Sequence, residues 1–202
     1  MSDPRVDILE QTTAYAGFFR LLRYRLRYRR YDGAWSAVVT RELFERGHAA
    51  AVLPYDPVAN QVVLIEQFRI GALEAPGSPW LLEIVAGIME PGESPQEVIR
   101  REAIEETGCP IEDIIPICDY LVSPGGTSER ISLFCGRVDA SGASGIHGKE
   151  EEEEDIRVVV MSVAEAVAAM QAGHIQSAAP IIALQWLLLH QEEVQRRWQQ
   201  ER

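Results

Sequence analysis

Glu102, Glu105 and Glu106 stand at i, i+3 and i+4 of a stretch that reads as a helix, so their carboxylates emerge on one face within a single turn. Like charges so placed destabilise a bare helix, and the arrangement asks for a positive occupant between them. With carboxylate oxygens and neither His nor Cys among them, the occupant they suit is a hard divalent cation, Mg2+ or Mn2+. The bland alternative is a solvated face on which Arg101 pairs with Glu97 or Glu105.

The local sequence specifies the element that carries these acids. Ser94 can cap, Pro95 suits the first helical position, and Glu97 completes a capping box. Val98, Ala103 and Ile104, with Ile99, supply the apolar face, and Gly108 ends the helix. Trp80 to Ala86 reads as a strand running straight into this segment.

Gly87, Glu93, Arg101, Glu102, Glu105, Glu106 and Gly108 together form a pattern with no fixed position missing. The pattern resembles the Nudix box, the signature of hydrolases that cleave diphosphates linked to another moiety. With all of these in register the solvated-face reading gives way. The resemblance implies an α/β/α sandwich around a mixed sheet over roughly residues 48–190. It also implies that Glu93 pairs with Arg101 to brace the loop-helix junction. Glu102, Glu106 and the backbone carbonyl of Ala86 would hold metal, with two or three Mg2+ ions per site, Mn2+ serving as well, and Glu105 would join the catalytic set.

Four features outside the box resemble the ADP-ribose pyrophosphatase group of bacterial Nudix hydrolases. They are Pro124 in Ser123-Pro124-Gly125-Gly126, the runs Phe44 to Ala50 and Val63 to Arg69, the entry Trp80 to Gly87, and Ser144 to Gly148 followed by Glu154 to Val158. The resemblance implies hydrolysis of ADP-ribose to AMP and ribose 5-phosphate. GDP-mannose hydrolases share much of the pattern, so another nucleoside-diphosphate sugar is the alternative substrate. A non-catalytic ADP-ribose-binding regulator would have no need of both metal carboxylates. In the acidic loop, Glu154 would close onto the metals and Glu152, by register, would accept the proton of the attacking water. Five consecutive glutamates, Glu150 to Glu154, leave both roles open to a one-residue slip. On the substrate, Arg69 would meet a phosphate, Phe18 and Phe19 would pack near the adenine, and Arg41, Glu42 and Arg46 would complete the nucleotide side. Ile88, Ser123, Pro124, Gly125 and Glu129 would add contacts. The resemblance further implies a homodimer that exchanges its N-terminal hairpin. His48 and His147 have no partner at metal or triad spacing and read as structural.

The whole chain bounds these readings. Its 202 residues fit a domain with a small appendage, here residues 1–46 ahead of a hydrolase domain at 47–202. A net charge of −12 argues against a nucleic-acid surface and an anionic membrane partner. Lys149 is the sole lysine. Cys109, Cys118 and Cys135 are odd in number without paired spacing, which predicts a reducing cytoplasmic setting. No signal-peptide core precedes residue 30, and the apolar stretch Ile181 to Leu189 is too short to span a bilayer. Leu22, Tyr24, Leu26 and Tyr28 alternate with Arg23, Arg25, Arg27 and Arg29, predicting a half-buried strand with a cationic face. Asp32-Gly33 turns it into a returning strand from Trp35 to Phe44. The arginine stripe is expected to pair within a dimer or to face solvent. Further strands are predicted at 49–55, 62–68, 114–122, 131–138 and 156–161, and helices from Ser162 to near Gly173 and from Ala178 to about Arg197.

Overall fold

The structure is a computed structural model and describes residues 3–149, 151 and 153–199. The chain clusters into two compact units, Met1–His48 with Leu121–Arg130, and Ala49–Tyr120 with Ile131–Arg202.

The first unit is an antiparallel sheet in the order β1 (Val6–Ala16), β2 (Arg20–Tyr28), β3 (Val39–Glu45). The predicted hairpin is present as β2 and β3, but β3 begins late and β1 flanks the hairpin on its other side. Trp35 makes only an isolated bridge to Arg29, and its ring lies under the guanidinium groups of Arg27 and Arg29 at 4.9 and 4.2 Å. The arginine stripe finds its carboxylates in its own sheet. Arg25 and Arg27 pair with Glu10 and Asp7 of β1, and Arg23 pairs with Glu42 of β3, at 2.8–3.1 Å. These exposed pairs fix register more than they add stability. Residues 121–130 join the unit through the Phe44 N–H, which donates to the Gly126 carbonyl at 2.8 Å.

The second unit holds β4 (Ala49–Asp56), β5 (Gln61–Phe68), β6 (Trp80–Glu83), β7 (Val85–Ile88), α1 (Pro95–Thr107), β8 (Asp113–Leu121), β9 (Arg130–Arg137), β10 (Ile146–His147), β11 (Ile156–Ser162), α2 (Val163–Gln171) and α3 (Ala178–Gln199). Its mixed sheet runs β10-β11-β5-β4-β9-β8, with β4 and β9 parallel. β4 and β5 pair only beside their turn, at Tyr55–Val62 and Asp56–Gln61. Beyond that point they part, and β7 pairs with β4 while β6 pairs with β5. The single strand expected from Trp80 to Ala86 is therefore two, broken at Ile84 where the chain changes partner.

Alternation along the buried strands feeds two cores. Val62 and Leu64 of β5 pack with Ala183, Leu184 and Leu187 of α3, whereas Val63 and Ile65 pack with Val98, Ile99 and Ala103 of α1. This is the α/β/α layering around a mixed sheet that the sequence predicts. No described helix is long and apolar enough to cross a membrane.

Candidate active site

Helix α1 begins as its sequence dictates. Ser94 Oγ accepts from the Glu97 N–H at 3.3 Å, and the Glu97 carboxylate accepts from the Ser94 N–H at 2.8 Å. Gly108 closes it in the left-handed conformation, φ 71°. The turn before the helix is tied to its middle by Arg101, whose Nε and a terminal nitrogen donate to Glu93 at 3.1 and 3.3 Å. Arg101 also reaches Glu102 at 2.7 Å and Glu105 at 3.3 Å. One guanidinium thus gathers three carboxylates, and Glu93 in particular is held below its usual range by its bond to Arg101.

Glu106 lies deeper. It is 5% exposed, and its Oε2 accepts from the Ala86 N–H of β7 at 3.2 Å. Burial foremost, and then the Glu102 carboxylate, push its pKa up to about 8. Glu154 raises it further, while the Ala86 N–H and Arg69 act the other way. Burial also raises Glu102, against the pull of Arg101. Glu102 lies directly against Gly87: a Cβ there would sit 1.9 Å from Glu102 Oε1. The box glycine is what lets carboxylate and strand approach so closely.

Arg69, just past β5, donates to Glu83 of β6 at 2.7 Å. Glu105 is taken by Arg101 and by Lys149, the latter at 3.0 Å. In the acidic loop the Glu154 N–H donates to the Lys149 carbonyl at 3.2 Å, and the Lys149 N–H donates to Glu154 Oε2 at 3.1 Å. Gly148, at φ +104°, permits this closure. Glu152 lies outside the described residues. Sequence reasoning missed Glu83 and Lys149. The signal for Lys149 was its place as sole lysine ahead of the acidic run; Glu83 had none, because its contact depends on the pairing of β5 with β6.

Among the described residues no group of three His, Cys, Asp or Glu forms a ready-made ion cage. Glu102 and Glu106 nevertheless fit a divalent cation chemically. They are two desolvated carboxylates beside the Ala86 peptide, Glu102 raising Glu106, and no ion pair is made to Glu106 among the described residues. Ile88 ends β7, partly exposed.

The remaining candidates belong to the first unit. Phe19 meets Phe18 and Phe44 edge-on at 4.7 and 5.2 Å, and Phe18 is 90% exposed. Arg46 stands over the Phe19 ring at 5.2 Å, with its Nε 3.5 Å from the buried Glu129. Arg41 donates to the Thr40 carbonyl, and Glu42 pairs with Arg23. The Ser123 carbonyl accepts from the Gly126 and Thr127 N–H groups, closing a turn through Pro124 and Gly125. Phe19, Arg46 and Glu129 therefore form one cluster, with Arg41 and Glu42 along β3. His48 Nδ1 accepts from the Arg130 N–H, and His147 Nε2 bonds the Ser144 carbonyl.

Known proteins match this arrangement. The NUDIX domain family matches residues 45–185. The chain is 53% identical over 193 residues to the ADP-ribose pyrophosphatase of Escherichia coli strain K12, covering 96% of this chain and 92% of that protein. It is 44% identical to the ADP-ribose pyrophosphatase of Haemophilus influenzae, over 98% and 92% of the two chains. A GDP-mannose pyrophosphatase of Pectobacterium atrosepticum is 35% identical, over 94% and 96%. A crystal structure of an ADP compounds hydrolase superposes with a TM-score of 0.72 at 20% identity, over 96% and 97%, and supports the fold. A box helix braced by Arg101, Glu102 held against a strand glycine with buried Glu106 beside it, and these matches along nearly the whole chain place this protein in the NUDIX domain family.

Proposed function

We propose that the chain is an ADP-ribose pyrophosphatase, hydrolysing ADP-ribose to AMP and ribose 5-phosphate. The observation that carries this reading is the Glu102–Glu106 pair, desolvated and held against Gly87 and Ala86. The identity to two ADP-ribose pyrophosphatases along nearly the full chain supports the choice of substrate. Nudix hydrolases generally need divalent metal ions, usually Mg2+. Glu102, Glu106, the Ala86 carbonyl and Glu154 are the groups of this chain that would hold two or three of them, with Mn2+ as a substitute. When bound, such ions offset the charge of the diphosphate and acidify water beside it.

The chain's own groups do the rest. A loop glutamate, Glu152, removes the proton of the attacking water, which a positioned base speeds by about 10²–10⁴-fold. Glu105 serves beside it, in the field of Arg101 and Lys149. Arg69 turns its planar fork to a phosphate. Phe18 and Phe19 pack on the adenine, with Arg41, Glu42, Arg46, Ile88, Ser123, Pro124, Gly125 and Glu129 completing the substrate contacts. Residues 1–46 act as an appendage exchanged between two copies in a homodimer, ahead of a hydrolase domain at 47–202. Three free cysteines accord with work in a reducing cytoplasm, and the net charge of −12 with a small anionic substrate rather than a nucleic acid or a membrane.

A panel of nucleoside-diphosphate sugars with Mg2+ tests the reading. ADP-ribose is expected to give the highest kcat/KM, with Glu106→Gln lowering kcat at least about 100-fold in a folded protein. The Pectobacterium relative favours GDP-mannose as a second reading, and a higher kcat/KM for that sugar would replace ours. Near-normal turnover by Glu106→Gln would end the metal-ligand assignment.

A further inference from the structure

Arg69 is held at one edge of its side chain. Its Nε donates to Glu83 Oε2 at 2.7 Å, while neither terminal nitrogen has a partner among the described residues. Its main chain is fixed as well: the Arg69 N–H donates to the Pro79 carbonyl at 2.8 Å, just ahead of β6. Sheet geometry sets up the side-chain contact. Val63 and Ile65 point to the α1 side, and alternation carried through the extended backbone of Arg69, φ −130° and ψ 111°, turns Arg69 to that side too. Across the ladder Ile65 faces Glu83, which puts the Glu83 carboxylate on the same side. There the guanidinium acts on Glu106: burial foremost raises that carboxyl group, and Arg69 draws it back.

The Glu83 side chain is 15% exposed and that of Arg69 44%, so the carboxylate is the fixed partner and the guanidinium the reaching one. Glu83 is the last residue of β6, directly before the change of strand partner at Ile84. Ala86 and Gly87, against which Glu106 and Glu102 lie, follow in β7. The anchor of the arginine and the seat of the box carboxylates thus share one short run of chain. A guanidinium binds phosphate best through two parallel N–H groups of one edge. With Nε given to Glu83, the edge left for an anion is the one between the two terminal nitrogens. An untethered arginine would have several rotatable bonds to order on binding. We propose that Glu83 is a positioning residue: by holding Arg69 at Nε, it presents both terminal nitrogens, already ordered, to a phosphate of the diphosphate, and it keeps that hold in the bound state. The assignment rests on the reading of Arg69 as a phosphate contact.

A double-mutant cycle of Glu83→Met and Arg69→Met tests it, with ADP-ribose kinetics and calorimetric binding of the analogue whose bridging oxygen is a methylene. In the parent background, Glu83→Met is expected to raise KM and weaken analogue binding about 10-fold, with a smaller change in kcat. In the Arg69→Met background, where no guanidinium needs placing, the same substitution should add no further loss. Glu83→Gln, whose amide oxygen can still accept from Nε, should recover most of the binding. Glu83→Asp, which draws the carboxylate back toward the strand, serves in the cycle should Glu83→Met not fold, with a loss again confined to the parent background. Calorimetric binding of Mg2+ alone should be nearly unchanged in the Glu83 variants. Equal penalties in the two backgrounds, no penalty in the parent, no recovery by Glu83→Gln, or Mg2+ binding weakened as much as analogue binding would each overturn the proposal. If the parent binds the analogue but never turns over ADP-ribose, the proposed reaction falls and the binding cycle still decides Glu83. If the parent does not bind the analogue, both fall.

Discussion

At Gly87 the backbone of β7 and the Glu102 carboxylate compete for the same space. An added methyl group would overlap Oε1, Cδ and Cγ of Glu102 at 1.9–2.5 Å, and all three atoms belong to a side chain that can swing away. Gly87→Ala is thus expected to fold, with a thermal midpoint within a few degrees of the parent, while displacing one of the two proposed metal carboxylates. The Mg2+ concentration for half-maximal activity should rise about 10-fold or more; an unchanged requirement would show that Glu102 does not need this position. At this scale the sequence was informative wherever spacing on one helix decides geometry, as for Glu102, Glu105 and Glu106. It was silent where identical neighbours carry no positional information, as in Glu150 to Glu154, and where a contact crosses strands, as between Arg69 and Glu83.

The elements divide in the same way. Helix α1 was legible because its cap, its apolar face and its terminating glycine all agree on one span. The change of partner at Ile84 was not, because Trp80 to Ile88 is apolar nearly throughout and shows no period that could break. β1 escaped notice because almost all of its 11 residues are exposed on both faces, leaving no buried stripe to read. The acidic loop turns on Gly148, whose φ of +104° disfavours any other residue and where a Cβ would lie 2.9 Å from the Glu154 carbonyl oxygen. That neighbour is backbone and cannot swing aside. Gly148→Ala should therefore open the loop, lowering kcat about 10-fold or more while leaving the packing of α1 on the sheet intact. Steady-state kinetics beside far-ultraviolet circular dichroism checks this, and normal kcat would remove the loop from the reaction.

For the molecule as a whole, the buried acids set a dependence on pH. Glu106 has its pKa raised from 4.5 to about 8, so the protonated form is the one the fold prefers. Its contribution to stability is full below about pH 4.5 and is lost as pH rises through about 8. In chelator, the thermal midpoint of the parent should fall relative to that of Glu106→Gln between pH 5 and pH 8, approximately the window set by the two pKa values. With Glu106 as the proposed metal ligand, Mg2+ would compete with the proton for that carboxylate, so the stabilisation it confers should grow over the same interval. A parent and variant that track each other across this range would place Glu106 in a wetter setting than its 5% exposure indicates.

Lys149 is the sole lysine of the chain, and it contacts Glu105 on the box helix from the base of the acidic loop. Apart from the amino terminus, an amine-reactive dye has one attachment point in this protein. Labelling therefore converts the loop into a built-in optical reporter, with no cysteine engineering, beside the carboxylates whose occupancy an experimenter would want to watch.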